Sequence, residues 1–511
     1  MNKFLLFYEH IHIIRYNPHF FWREGFNFMV IEKENLILNY LNEEIEDVPN
    51  LIHNYLNDGS IVNYRSEFED IKAYIDNYLD GYSGGRFLVL PGIRGVGKTI
   101  LLYQTYNYLI KEKNIPPSRV LYISFDEIYK IVETDIKEVV DVYLKYKHDT
   151  KLSLVDEKIF ILIDESQYED NWALSGKIIF DKTKNVFAIF TGSSALDLEN
   201  NPDAVRRMDK QRINPLNYGE HLRLRYNIQT DGMSELMEKV VFEGDVLDAM
   251  DKEEQIYNQL MSTFNYPSND WDTYLKYGGY PILFEESNYL KLRKKLVEMI
   301  NRVVSKDMVR FKNISEDNRT NAQRVLRRLS LQKSNETSQN KLANELKTSS
   351  ANIHTILGIL EKTHIIFHCE NFTNTSDRSS KNWKYYFATS SLKYALSSQI
   401  GNPEKNTPEF EGVLLENLVA STLSNTYLNR EEFFTLYYDA HKRGNVDFIV
   451  DNEVKNPIPI EVGRGKKDRK QIKNAIDSYN ADYGIVISNN TNNIEKKNDI
   501  IYIPYRTFSF L

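Results

Sequence analysis

The chain has 511 residues, a formal net charge of -8, 41% hydrophobic and 13% aromatic residues, and few glycines and prolines for its length. This length suggests about three domains, the composition argues against long disordered tracts, and the acidic balance argues against a protein that coats nucleic acid over its whole surface, although a local basic patch is compatible with it. The single cysteine, Cys369, excludes an intrachain disulfide framework and a four-cysteine metal site, and fits a reducing cytoplasm.

The opening, MNKFLLFYEHIHIIRYNPHF, has a short apolar piece broken by Glu9, His10, His12 and Arg15. It lacks the apolar region and cleavage site of a secretory signal. No run of about 18 apolar residues occurs, so no membrane span is expected. Residues 1–84 read as a helical, acidic extension with no function legible in them. Over residues 85–222 the pattern changes. FLVLP (87–91), VLYISF (120–125), IFILID (159–164) and VFAIFTG (186–192) are apolar runs separated by helix-length stretches. That predicts an α/β fold with a parallel sheet covered on both faces. Residues 223–315 read as helical, interrupted by a turn signal, YGGYP (277–281). Residues 316–400 predict three short helices and a strand pair. Residues 401–511 predict a helix followed by a small second α/β unit, from FFTLYYD to DIIYIPY.

One motif carries chemistry. Gly92-Ile93-Arg94-Gly95-Val96-Gly97-Lys98-Thr99 satisfies G-x-x-x-x-G-K-[ST], lies after a strand and opens an amphipathic helix at Ile100. Glycines let the backbone curl so that successive N–H groups face phosphate oxygens, and the helix N-terminus adds positive potential. Lys98 then reaches the terminal phosphates and Thr99 supplies a hydroxyl to Mg²⁺. The apolar run Ile159–Ile163 delivers Asp164 and Glu165. The aspartate suits Mg²⁺ opposite Thr99, and the glutamate can take a proton from an attacking water. Thr191, Ser193 and Ser194, ending the next strand, can bond the γ-phosphate or the water. No Asn-Lys-x-Asp guanine-reading motif occurs in residues 85–222, which favours ATP.

The segments GIRGVGKT, IFILIDESQYEDNW, AIFTGSSA and INPLNYGEHL, with YGGYP and VVSKDMVRF (303–311) further on, together resemble the archaeal-type P-loop ATPases of the AAA+-related branch. The resemblance spans residues 85–505. It implies an additional-strand catalytic-glutamate core that binds ATP and Mg²⁺. Asp164 is then the metal aspartate, Glu165 the base, Gln167 a coupling residue, and Thr191 or Ser193 a sensor. Where such proteins often carry Gly-Arg, this chain has Arg206-Arg207. Either arginine could touch a γ-phosphate, in its own or a neighbouring subunit, or be a solvated charge.

Residues 316–400 resemble a winged helix-turn-helix, with Ser350–Lys362 as the would-be recognition helix. It offers Asn352, His354 and Thr355, and one base, Lys362, at its far end. That supports weak phosphate contact and not sequence readout. DNA binding through the C-terminal half and a connector or docking role both fit. In residues 401–511, Glu416, Asp447 and Glu461 resemble the metal carboxylates of a restriction-endonuclease-like fold. The position expected to hold lysine is Gly463, so Lys466 or Lys467 would have to supply the cation. The run Arg464–Lys470 is basic, either to draw in a nucleic-acid backbone or as a solvated helix start. Three readings follow: an ATP-driven switch, an ATP-regulated DNA-processing nuclease, and a nucleotide-stabilised scaffold. The oligomeric state is open.

Overall fold

The computed structural model describes residues 18–57, 64–82, 84–193, 206–264, 266–284, 286–310, 314–333, 336–373, 382–401, 407–428, 434–439, 445–452, 455–463 and 469–511. Strands β1 (Phe87–Pro91), β2 (Val120–Ser124), β3 (Ile159–Asp164), β4 (Val186–Gly192) and the short β5 (Asp209–Lys210) form a parallel sheet in the order β2-β3-β4-β1-β5. The α/β core expected from the alternating apolar runs is present.

Both faces of this sheet are buried. Leu88, Leu90, Leu162 and Ile189 point into one core with the helices Ser66–Leu79 and Lys98–Lys111. Phe87, Val89, Ile161, Ile163 and Phe190 point into another, closed by Ile136–Lys147, Trp172–Lys182 and part of the long helix Pro18–Asn57. Two-sided burial is why these strands read as unbroken apolar runs. The register pairs Pro91 with Gly192 and Ser124 with Asp164. The carboxyl ends of the four long strands therefore lie level along one edge, where open α/β sheets form their ligand crevice.

The next region divides between two cores. Helices Tyr218–Tyr226, Met233–Glu243, Leu247–Ser262 and Asp270–Tyr277 pack with the C-terminal sheet. The helix Tyr289–Arg302 instead packs with the phosphate-loop side of the first sheet. Residues 316–362 form three helices, Glu316–Leu331, Gln339–Leu346 and Ser350–Lys362. Each is capped by a serine hydroxyl, from Ser315, Ser338 and Ser349 respectively. Strands β6 (Ile366–Asn371) and β7 (Lys384–Phe387) follow as an antiparallel pair, with a bridge from Thr337 to Trp383. The pair does not stand apart. β6 runs parallel to β8 (Phe434–Tyr438) and so joins β9 (Phe448–Asn452), β10 (Lys455–Gly463), β11 (Gly484–Ser488), β12 (Glu495–Lys497) and β13 (Ile500–Ile503) in one mixed sheet of eight strands. Among the described residues no helix is long and apolar enough to cross a membrane.

Candidate nucleotide site

β1 runs into the loop Gly92–Gly97, and the helix Lys98–Lys111 opens directly after it. Gly95 and Gly97 have φ of 89° and 102°, conformations that a Cβ makes costly. Ile93 and Val96 are buried and pin the loop to the core beneath. Lys98 is buried too, and its Nζ folds back to donate to the carbonyl oxygens of Gly92 at 2.8 Å and Ile93 at 3.3 Å. Burial pushes this amine below the usual lysine range, against the opposing pull of Glu165 and Asp164.

The acidic strand end faces this lysine. Thr99 Oγ1 donates to Asp164 Oδ2 at 2.6 Å, and the Thr191 hydroxyl donates to Asp164 Oδ1. Tyr122 Oη adds a long bond to Oδ2 at 3.4 Å. Burial, then the neighbouring Glu165 charge, raises the Asp164 carboxyl above its ordinary range. Glu165 follows with φ 53° and ψ 41°. A non-glycine residue in the left-handed region is uncommon and clusters at functional sites. Here it turns the side chain off the strand axis, where it accepts from Gln167 Nε2 and lies 3.8 Å from Arg94 Nη1. Ser193 is buried at the end of β4, and Ser194 lies outside the described residues. Arg207 pairs with Asp181 at 2.6 Å, and Arg206 is exposed.

The opposite wall comes from segments whose role the sequence did not disclose. A pocket of about 580 Å³ is lined by Lys98, Thr99, Ile100 and Glu165 on one side. Tyr55, Pro281, Ile282, Met299 and Arg302 line the other. A Cβ on Gly95 would meet Met299 Sδ at 2.6 Å, and one on Gly97 would meet Pro281 Cγ at 3.5 Å. The YGGYP turn is therefore a wall of the pocket as well as a chain reversal. Beneath the loop, the fully buried Arg65 donates through Nη1 to Val96 O at 2.6 Å and through Nη2 to Asn214 O at 2.9 Å, while pairing with Glu67 and Glu220. Asp307, in the π-helical turn Val303–Asp307, accepts from Arg94 Nη2 at 3.2 Å. Of these residues, the YGGYP turn, Asn214 and Glu220 in INPLNYGEHL, and Asp307 in VVSKDMVRF lie in segments that carry the resemblance, whereas Arg65, Glu67, Tyr55, Met299 and Arg302 carried no sequence signal.

The C-terminal carboxylates meet differently from the sequence expectation. Glu416, on the helix Pro408–Leu428, accepts from Tyr386 Oη at 2.9 Å and lies 3.9 Å from Lys384 Nζ. Asp447 accepts from Val462 N at 2.7 Å, and Glu461 is buried in β10. Burial, then the charges of Asp447, Glu416, Glu411 and Glu461, raises the Tyr505 hydroxyl. Among the described residues no three His, Cys, Asp or Glu side chains are placed to hold a metal ion. Two of these carboxylates are instead engaged by a tyrosine hydroxyl and a backbone amide. Lys466, Lys467 and most of the basic run lie outside the described residues.

The uncharacterized protein MJ1637 of Methanocaldococcus jannaschii is 31% identical to this chain over 474 residues, covering 93% of this chain and 94% of that one. The chain belongs to the family of that archaeal protein. A second relative from the same organism, the uncharacterized protein MJ1544, is 26% identical over 397 residues, or 75% of this chain and 76% of that one. Residues 85–222 match an AAA domain, 268–404 a domain of unknown function (DUF8612) and 411–508 another (DUF4143). The AAA match and the loop geometry together support an AAA+-type nucleotide-binding core. Among solved structures, the Aeropyrum pernix ORC1 protein in complex with DNA aligns at 12% identity and a TM-score of 0.31, over 66% of this chain and 92% of that one. DnaA bound to AMPPCP and single-stranded DNA aligns at 14% identity and a TM-score of 0.26, over 57% and 86%.

Proposed function

We propose that this protein is a Mg²⁺-dependent ATPase whose nucleotide state is transmitted to its C-terminal half. The observation that carries this reading is the contact of Thr99 Oγ1 with Asp164 Oδ2 at 2.6 Å, with Lys98 buried beside it. Two hard oxygen donors converge where the phosphate loop opens, and hard oxygens suit Mg²⁺. Thr99 and Asp164 would hold the ion, which when bound neutralises phosphate charge.

The loop amides and Lys98 bind and orient the triphosphate. Glu165 receives the proton of a water whose oxygen attacks the γ-phosphorus. The bond to the β–γ bridging oxygen breaks, giving ADP and phosphate. For Lys98 to act, Nζ must leave the carbonyls of Gly92 and Ile93. For Glu165 to act, it must release Gln167. Both rearrangements are local, and both require a ligand to compensate the lost bonds.

Coupling is supported by the walls. Helix Tyr289–Arg302 and the three-helix segment share a core with the phosphate loop, so a shift in the loop reaches both through packed side chains. The three helices with the β6–β7 pair support a winged helix-turn-helix reading. The outward residues Asn352, His354 and Thr355 favour a docking role over base readout, and DNA contact would be through phosphates. The C-terminal unit fits a binding scaffold better than a nuclease, given the engaged carboxylates.

The test is phosphate release from ATP by purified wild type and the Glu165→Gln variant, with and without double- and single-stranded DNA. Turnover in wild type, lost in the variant while nucleotide binding persists, supports the proposal. Absence of turnover under all conditions overturns it in favour of a nucleotide-stabilised scaffold.

A further inference from the structure

Arg94 sits at the third position of the phosphate loop, and its side chain reaches the reacting end of the pocket. It lies 3.8 Å from Glu165 Oε1, the carboxylate assigned above to the attacking water. Its other terminal nitrogen donates to Asp307 Oδ1 at 3.2 Å across 213 residues of sequence. Its Nε is buried and makes no hydrogen bond among the described residues, so the guanidinium still has a donor to give. Burial disfavours its charge, but Glu165 and Asp307 more than offset that. Arg207 pairs with Asp181 instead, and of the two arginines that line the pocket, Arg94 and Arg302, Arg94 is the one that pairs with Glu165.

Asp307 has no business in a hydrophobic turn unless something needs it there. Its side chain is 3% exposed, flanked by the buried Val303, Val304 and Met308. Burial raises its carboxyl, with Arg94 the largest opposing influence. A buried carboxylate is tolerated when a cation and a hydrogen bond compensate it. The π-helical turn re-aims residue 307 out of the α-helical register, and such turns recur at functional positions.

We propose that Arg94 stabilises the charge that develops on the transferring γ-phosphate, in cis, and that Asp307 is the positioning residue that holds its guanidinium in place. This rests on the ATPase reading above. A planar guanidinium fixed by one carboxylate presents its remaining N–H groups to phosphate oxygens without having to be ordered at the moment of reaction. Entry of a triphosphate replaces Glu165 as the second partner of Arg94, freeing that carboxylate for its water, while the bond to Asp307 stays. Because Asp307 belongs to the turn that continues helix Tyr289–Arg302, assembly of the catalytic arginine depends on that helix being docked on the loop.

The test is steady-state ATP hydrolysis, with binding of a fluorescent ATP analogue, by wild type, R94A, D307N, the double variant R94A/D307N and E165Q. R94A is expected to lower kcat about 100-fold with KM changed less than about threefold. D307N is expected to lower kcat about tenfold with KM unchanged. The double variant should match R94A alone, because Asp307 acts only through Arg94. A purely structural role for Asp307 would make the two losses multiply, which overturns the proposal, as does D307N with wild-type kcat. If D307N does not fold, D307E keeps the carboxylate, and its loss of kcat must likewise vanish in the R94A background. Wild type that binds nucleotide without turnover, or E165Q that turns over normally, marks failure of the ATPase reading itself. Normal E165Q loss with unaffected D307N marks failure of this inference alone.

Discussion

Thr99 Oγ1 and Asp164 Oδ2 are 2.6 Å apart although 65 residues separate them in sequence. The hydroxyl that opens the helix after the phosphate loop thus meets the acid that ends β3. This is the contact a shared Mg²⁺ would replace. Thr99→Ala is expected to leave the fold intact and to raise the Mg²⁺ concentration needed for half-maximal ATP turnover by roughly tenfold or more, the usual scale for losing a partner at a metal site. A magnesium titration at saturating ATP measures it, and an unchanged midpoint would remove Thr99 from the metal.

Lys98 and Glu165 separate binding from chemistry. Lys98→Ala deletes the buried cation facing the phosphates and should abolish detectable nucleotide binding by calorimetry. Glu165→Gln keeps the shape and hydrogen-bonding capacity of the side chain but cannot take a proton. It should retain ATP affinity within a few-fold and lose turnover by about 100-fold or more.

Arg65 tests the support beneath the loop. Its guanidinium compensates Glu67 and Glu220 and holds the carbonyl of Val96. Burial pushes the Glu67 carboxyl up to about 8, while Glu220, despite its burial, is held below its ordinary range by Arg65. Arg65→Ala leaves the Glu220 carboxylate without its cation and should destabilise the protein by about 3–5 kcal/mol. Chemical denaturation monitored by fluorescence reads this. Arg65→Ala/Glu220→Gln should recover part of the loss.

Lys393 gives a pH signature. It is fully buried, donates to the carbonyl oxygens of Leu329 at 3.0 Å and Gln332 at 3.1 Å, and burial lowers its amine to about 8. An unfolded lysine titrates near its usual value, so between these limits the unfolded chain binds more protons than the folded one. This residue's contribution to stability therefore rises with pH from about 8 upward, and below that it carries a penalty of roughly 3 kcal/mol. The difference in stability between wild type and Lys393→Met should narrow as pH rises from about 7 to 10. A difference that stays flat would mean that Lys393 is not buried with its charge.

The phosphate loop was legible because its chemistry is local. Eight consecutive residues, a strand before and a helix after suffice, and Asp164-Glu165 announce themselves as charges ending an apolar strand. The parallel sheet was legible for a similar reason, since two-sided burial writes itself into each strand. Arg65, Tyr55 and Met299 were not. Each is ordinary in its own neighbourhood and acquires meaning only from a partner tens to hundreds of residues away. Glu416, Asp447 and Glu461 were singled out by resemblance to a restriction-endonuclease-like fold; the hydroxyl of Tyr386 and the amide of Val462, which bond two of them, are invisible in a linear reading.

The seam between β6 and β8, where Glu370 and Asn371 lie beside Tyr437 and Tyr438, bears on how this protein can be dissected. A fragment starting near residue 407 would keep six strands yet strip β8 of its neighbour, leaving an unpaired edge open to other chains. Such a piece should self-associate when expressed alone. Extending it back to Glu316 restores the missing neighbour, but the helices from Tyr218–Tyr226 to Asp270–Tyr277 pack with this sheet as well, so a well-behaved C-terminal fragment has to begin before Tyr218.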